Sequence, residues 1–218
     1  MFLFDAIYSG KDEIKNIIFD WGGVITDLHF DNTKKGFQDL GLYIIDEWRP
    51  HEPLKKIFLP FEIGTISSVE FRNRLRELTS KPLTDDEIDN AWNAMLGSLP
   101  AERWKILESA GKVYRTFLLS NTNAIHVEYY ANYLQGIYGT YGYKHLFEKT
   151  YFSFELHLRK PNYDIFEFVI KDSLIQPEET LFIDDSFENV ETARALGFQT
   201  VHLQSPVTLA DLFTNQPQ

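Results

Sequence analysis

Short apolar runs alternate with amphipathic segments along most of the chain. Runs rich in β-branched and aromatic residues predict buried strands, and they lie at 17–19, 113–120, 149–154, 180–185 and 198–203. Between the later runs, apolar residues recur at helical spacing over 162–174, just after Pro161, with Ile165, Phe168 and Val169 on one face. They recur again over 188–198, where Gly197 is the expected C-cap. Alternating strands and helices predict an α/β fold, with a parallel sheet covered by helices on both faces.

The segment from about residue 30 to 107 lacks a strand pattern. A helix is predicted over 68–78, with an apolar face formed by Val69, Phe71, Leu75 and Leu78. A second is predicted over 84–96, because Thr84 and Glu87 have the spacing of a capping box before an apolar face of Ile88, Trp92 and Leu96. We predict an all-helical cap over 30–105, inserted into a core formed by 1–29 and 106–218. Most aromatic cap residues are expected to be buried: Phe30, Phe37, Tyr43, Trp48 and Trp92.

Composition narrows the classes of function. The 218 residues, 44% of them hydrophobic, can build one sizeable core with a smaller lobe. A net charge of -11 argues against a nucleic-acid surface, and it requires any pocket for an anion to be locally positive. The absence of cysteine excludes disulfides, thiolate metal sites and a thiol nucleophile.

Targeting signals are not evident. Residues 1–15 lack a basic region and a small-residue cleavage site, so we interpret them as an N-terminal extension. No apolar run approaches the roughly 18 residues of a membrane span. We therefore expect a cytoplasmic protein with no membrane partner, and the sequence carries no signal for oligomeric state.

Polar residues with matching chemistry follow the predicted strands. Asp20, Ser120 and the pair Asp184-Asp185 come at strand ends, and Lys160 precedes a helix. If the strands are parallel neighbours, these groups meet at one edge. The acids can hold Mg²⁺ through oxygen ligands, the lysine and the hydroxyl can bind phosphate, and Asp20 can attack to form an aspartyl-phosphate. The glycines after Asp20 let the backbone bring N–H groups close to the phosphoryl oxygens.

Four segments in this order resemble the motifs of haloacid dehalogenase superfamily hydrolases: FDWGGVITD (19–27), LLSNTN (118–123), RKP (159–161) and FIDDSFENV (182–190). The cap insertion resembles the helical-cap subfamily, and the variant motifs resemble the subgroup that includes bacterial α-glucose-1-phosphate phosphatases. The resemblance implies a Rossmann-like core and a Mg²⁺-dependent phosphatase that acts on a small phosphorylated metabolite, such as a sugar phosphate.

The resemblance also implies a role for each matching residue. Asp20 would be the nucleophile, and Asn189 would support the metal loop. The phosphate would be bound by Ser120, Asn121 and Lys160, the last neutralising its charge. The metal would be held by Asp20, the backbone carbonyl of Gly22, Asp185 directly, and Asp184 directly or through water.

Two positions depart from the family pattern. Gly22 stands where most family phosphatases have an Asp that acts as general acid and base, a group worth roughly 10²- to 10⁴-fold in rate. The subgroup that includes bacterial α-glucose-1-phosphate phosphatases also lacks this Asp. His157 stands where related chains commonly have Gly, at a site expected to need positive φ unless the side chain reaches the pocket. We favour supporting roles over catalysis for His126 and His157, and a structural role for Asp27.

Other functions stay open at this point. A metal-independent 2-haloacid dehalogenase would also use Asp20 as nucleophile, although Asp184-Asp185 argue against it. A non-catalytic phosphometabolite-binding protein is the other alternative, because the usual acid/base is missing at Gly22. A sugar-phosphate mutase is a weaker one, since those enzymes usually keep that acid.

Overall fold

The computed structural model describes residues 13–43, 52–139 and 142–213. Its strands are β1 (Asn16–Phe19), β2 (Arg115–Ser120), β3 (Lys149–Phe152), β4 (Thr180–Asp184) and β5 (Gln199–His202). All pairings are parallel, and the order in the sheet is β3-β2-β1-β4-β5. The predicted strands and the α/β fold class are confirmed. The third strand is shorter than predicted because a helical turn begins at Ser153.

Helices link the strands and fill the segment between β1 and β2. They are α1 (Phe30–Asp39), α2 (Glu52–Glu62), α3 (Ser68–Arg76), α4 (Asp85–Asn93), α5 (Ala101–Ala110), α6 (Ala124–Tyr138), α7 (Ser153–Leu156), α8 (Tyr163–Ser173), α9 (Phe187–Ala195) and α10 (Leu209–Phe213). Short 3₁₀ turns cover Gly142–Leu146 and Pro177–Glu179. Gly197, just after α9, has a φ of 94°, which fits the predicted helix end.

The sheet is covered on both faces because successive strand residues point in opposite directions. Phe19 packs in a cluster with residues of α5, α6 and α10, whereas Ile18 packs with residues of α8 and α9. One detail of the predicted pattern is wrong: Phe168 is 39% exposed, and Phe166 is the buried aromatic residue of α8. The neighbouring β-strands, not the helical period alone, decide which side of α8 faces inward.

The helical segment after β1 has its own buried cluster. The Thr84 capping box at the start of α4 is present as predicted, and Phe37 and Trp92 are buried. The predicted apolar face over 68–78 is only half right: Phe71 and Leu75 of α3 are buried, whereas Val69 is 62% exposed and Leu78, which lies beyond the helix end, is 38% exposed. Among the expected buried aromatics, Phe30 (39%) and Tyr43 (74%) are exposed, and Trp48 lies outside the described residues.

Two connections between the helical segment and the sheet run side by side. His29 N donates to Met95 O (2.7 Å), and Gly97 N donates to Asp27 O (2.9 Å). The residues of α5 pack with the sheet cluster, and a boundary between 105 and 106 would divide that helix. We therefore propose that the cap extends from about residue 29 to 96, and that the core contains all of α5.

No helix in the described ranges combines the length and the apolar character that crossing a membrane requires.

Candidate active site

The candidate site lies at the carboxyl edge of the three central strands. Phe19 pairs with Leu118 of β2 and Ile183 of β4, and Asp20 N donates to Ile183 O at 2.9 Å. Asp20 therefore emerges between the ends of β2 and β4, beside Asp184. The sheet order thus brings together side chains that are more than 160 positions apart in the sequence.

Lys160 lies at the centre of this group with 1% of its surface exposed. Its Nζ contacts Asp184 Oδ2 at 2.6 Å and Asp20 Oδ1 at 2.9 Å, and it donates to Leu119 O at 2.8 Å. Burial disfavours the ammonium, but the charges of Asp184 and Asp20 outweigh that cost and raise the pKa of Lys160. Lys160 is therefore a buried cation held by two acids.

Asp184 is fully buried, and its two oxygens have different partners. Oδ2 contacts Lys160, whereas Oδ1 accepts hydrogen bonds from Ser186 N (2.8 Å) and Asn189 Nδ2 (2.9 Å). Asn189 thus holds the acidic loop through Asp184, in line with its expected supporting position. Since Asp184 already has three donors, Asp185, which is exposed, has more freedom to bind a cation.

Three carboxylates converge near Lys160. Asp20, Asp184 and Asp185 each offer an oxygen within 4.8 Å of the others. Burial raises the pKa of Asp20 from 3.8 to about 7; Lys160 opposes this rise, and the two other acids add to it. Partial desolvation of its carboxylate and the charge of Asp184 likewise raise the pKa of Asp185. If all three acids ionise beside one ammonium, two negative charges are in excess; a divalent cation would offset them, and hard oxygen donors in this number fit Mg²⁺.

The loop after Asp20 depends on two glycines. Gly23 has a φ of 74°, and a Cβ there would lie 2.2 Å from Asp185 Oδ2. A side chain at this position would therefore displace a candidate metal ligand. A Cβ on Gly22 would lie 2.6 Å from Leu28 Cδ1. Leu28 thus fills the space into which an acid at position 22 would project.

Two expected phosphate-binding residues, Ser120 and Asn121, lie at the carboxyl end of β2. Ser120 is buried at the strand end. The Asn121 side chain pairs with the Lys160 backbone, donating from Nδ2 to Lys160 O and accepting from Lys160 N, both at 2.9 Å. This pair fixes the segment that carries the buried ammonium. Asn121 therefore has a clear positioning task, and a direct role on phosphate stays a prediction.

A cavity of about 270 Å³ adjoins the strand ends beneath the cap. Its wall includes Gly22, Ser120 and Asn121, and the cap side is largely aromatic and aliphatic. The lining residues from the cap and its connections are Leu28, Phe30, Phe58, Glu62, Trp92, Met95 and Leu96. A molecule in this cavity would touch both the cap and the edge of the sheet.

The two histidines considered from sequence lie near the site without contacting its acids. His126 stacks on Trp92 with ring centroids 4.9 Å apart, and its Nε2 lies 3.3 Å from Trp92 O. Burial lowers the pKa of His126 to about 4, so the ring is neutral at pH 7. His157 has the expected positive φ of 57°, is exposed, and contacts Ile63 O through Nδ1 at 2.8 Å.

Two further acids have charged partners. Asp27 pairs with Arg103 at 2.9 Å, which fits a structural role. Glu62, which the sequence analysis did not single out, lines the cavity and accepts a hydrogen bond from Arg159 Nε at 2.6 Å. No local pattern identifies Glu62, because its partner is 97 residues away.

Comparison with known proteins identifies relatives along most of the chain. The family profile of haloacid dehalogenase-like hydrolases matches residues 14–197. D-ribitol-5-phosphate phosphatase from Bacteroides thetaiotaomicron is 35% identical over 187 residues, covering 86% of this chain and 90% of the relative. A sesquiterpene phosphatase from Aspergillus oryzae is 28% identical over 202 residues, covering 87% and 89%.

A solved structure extends the comparison to three dimensions. A HAD family enzyme from Bacteroides thetaiotaomicron, in complex with magnesium and inorganic phosphate, has a TM-score of 0.81 and 36% identity, covering 88% of this chain and 96% of that one. The superfamily prediction from the four motifs is thereby confirmed. The sheet, the strand-end acids and these matches agree: this chain is a hydrolase, and it belongs to the haloacid dehalogenase-like hydrolase family.

Proposed function

We propose that this protein is a Mg²⁺-dependent phosphatase that hydrolyses a small phosphorylated metabolite through an aspartyl-phosphate on Asp20. The observation that carries the proposal is the meeting of three acids within 4.8 Å beside the buried Lys160. Asp20, Asp184 and Asp185 would hold the cation beside the Lys160 ammonium, and the two positive charges would neutralise a phosphoryl group that Asp20 attacks as nucleophile.

Each residue has a defined task in this scheme. Asp20 attacks phosphorus in line with the leaving oxygen, and water then hydrolyses the phospho-enzyme. Lys160 and Ser120 bind equatorial oxygens, with Asn121 positioning Lys160. Magnesium, when bound, would neutralise charge that develops on the phosphoryl oxygens. The side chains of Asp20, Asp184 and Asp185 and the carbonyl of Gly22 would hold it.

The relatives support both the metal and the substrate class. One relative is named for hydrolysis of D-ribitol 5-phosphate, and a similar structure contains magnesium with inorganic phosphate. We infer that this chain uses Mg²⁺ and acts on a sugar or polyol phosphate. Dehalogenation is less favoured, because that reaction needs no metal and gives Asp184 and Asp185 no metal-binding task.

The glycine at position 22 remains the main argument for a non-catalytic binding protein. Glycine has no side chain that could donate a proton to the leaving group. Leu28 occupies the space that an acid at this position would need. We propose that turnover continues with a solvent-derived proton, at a rate that depends on the leaving group. Strong dependence on the pKa of the leaving alcohol is the kinetic signature of this arrangement.

A screen of phosphate monoesters with and without Mg²⁺ tests the proposal. We expect hydrolysis by the full chain that stops with chelator and with Asp20→Asn, while Asp20→Asn still binds inorganic phosphate. Tight binding without turnover of any ester would favour the binding protein. Chloride release from a 2-haloacid, unaffected by chelator, would favour the dehalogenase.

A further inference from the structure

Glu62, an acidic residue, lines the cavity beside the proposed phosphate site. We propose that Glu62 is a specificity-determining residue, and that it selects a neutral, polyhydroxylated leaving group. This inference rests on the proposed function, since it concerns the group that leaves from the phosphate. It also favours the polyol class over the isoprenoid class, although relatives of both kinds exist.

Contacts between cap and core hold Glu62 in place. Its Oε1 accepts from Arg159 Nε at 2.6 Å, and its backbone carbonyl accepts from Ser153 Oγ at 2.7 Å. Two residues later, a Cβ on Gly64 would lie 2.0 Å from Phe154 O, so the cap backbone closely approaches the core there. The Glu62 side chain is therefore held by an ion pair to the core residue Arg159, which is next in sequence to Lys160.

One oxygen of this carboxylate remains available. Oε2 makes no hydrogen bond to the part of the chain that the structure describes. A hydroxyl group of a bound molecule can donate to it, and a hydrogen bond to a charged acceptor is among the stronger ones. An apolar leaving group would instead desolvate Oε2 without replacing its bonds to water, which is costly.

The charge balance of the cavity gives the second argument. Among the described residues that line the cavity, Glu62 is the charged one at pH 7. His126 also lines the cavity, but burial lowers its pKa to about 4 and keeps the ring neutral. A leaving group with its own carboxylate or second phosphate would face the Glu62 carboxylate with no cation in the described lining, since Arg159, which pairs with Glu62 at 2.6 Å, is outside that lining. Phe58 and Trp92 line the same cavity and give it apolar surface that the C–H groups of a polyol chain can contact.

Three phosphates with the same five-carbon chain test this assignment. D-ribitol 5-phosphate carries hydroxyls, n-pentyl phosphate lacks them, and D-ribonate 5-phosphate ends in a carboxylate. Their affinities are measured by calorimetry with Mg²⁺ and the full-length Asp20→Asn protein, which does not consume them. We expect ribitol 5-phosphate to bind at least about tenfold more tightly than either analogue.

Glu62→Gln, added to the Asp20→Asn protein, should reduce the affinity ratio of ribitol 5-phosphate over each of the two analogues. The ratio over ribonate 5-phosphate should fall to within about threefold, because the repelling charge is removed. The matched control is Arg159→Gln, which breaks the ion pair but keeps the carboxylate. It should retain the discrimination against ribonate 5-phosphate. If Glu62 only stabilises the cap, both variants should weaken all three ligands alike.

Several outcomes would overturn the assignment. Pentyl phosphate or ribonate 5-phosphate binding as tightly as ribitol 5-phosphate would do so, and this comparison holds even if Glu62→Gln fails to fold. A preference for pentyl phosphate would indicate an apolar leaving group. Since calorimetry needs no turnover, these results are independent of the Mg²⁺-dependent hydrolysis assay, whose failure would reject the phosphatase instead.

Discussion

Replacing the Asp20 carboxylate should stabilise the magnesium-free protein. The pKa of Asp20 is raised from 3.8 to about 7, chiefly by burial. The folded state then keeps a proton that the unfolded state loses between about pH 4 and pH 7. The stability contributed by this proton is fully present below pH 4 and is lost as the pH rises through 7. Asp20→Asn stays neutral throughout and avoids that loss.

The size of the effect follows from the same values. Each unit of pKa difference corresponds to about 1.4 kcal/mol, so a change from 3.8 to about 7 gives an upper limit of about 4 kcal/mol at pH 8. The lost Lys160 contact reduces the gain, and we expect about 2 to 4 kcal/mol. The difference between variant and wild type should approach zero near pH 4.

Urea unfolding, followed by tryptophan fluorescence in EDTA at several values between pH 4 and 8, measures this difference. Asp39→Asn is the matched control, because it removes an exposed acid at the end of α1. Saturating Mg²⁺ should stabilise the wild type more at pH 8 than at pH 5, and more than it stabilises Asp20→Asn. Parallel pH profiles for wild type and Asp20→Asn in EDTA would refute the reasoning.

Three other changes test the surrounding structure. Lys160→Met leaves the buried Asp184 without its cation and should lower the unfolding free energy in EDTA by about 3 to 5 kcal/mol at pH 8; a loss below about 1 kcal/mol in chemical denaturation would contradict this. Gly22→Asp should fold but lower the unfolding free energy by about 1 to 3 kcal/mol. Adding Leu28→Ala should recover part of that loss, because it frees the space beside position 22. Additive losses in the double-mutant cycle would show that Leu28 does not fill that space. Thr84→Ala should cost about 1 kcal/mol in thermal unfolding with turnover retained, because it removes the cap of α4 and Thr84 is not among the described residues that line the cavity; an unchanged melting temperature would count against the capping box.

The sheet and its polar edge could be predicted because the relevant signals are local. A buried strand needs only a short apolar run, and the residue that follows it lies at the carboxyl edge if the strands are parallel. Asp20 and Asp184 could therefore be assigned to one edge before their contacts were visible. The capping box at Thr84 is also local, since both of its partners lie within one helical turn.

Several features of the site could not be predicted in this way. Helical periodicity placed Val69 and Phe168 on buried faces, but each is exposed, because the neighbouring elements leave those sides uncovered. The pairing of Asn121 with the Lys160 backbone joins residues 39 positions apart. Such contacts depend on how the loops pack after folding, and no short-range pattern encodes them.

The amino-acid sequence by itself determined the order of strands and helices, the insertion of a helical segment, and the chemical types of side chain at the strand ends. These follow from hydrophobic period and from residue identity. Tertiary structure decided that Lys160 is buried between two acids, that Leu28 fills the space beside Gly22, and that Glu62 lines the cavity. The physical reason is that burial, pKa and cavity shape arise from groups distant in sequence, which acquire a common environment only when the chain is folded.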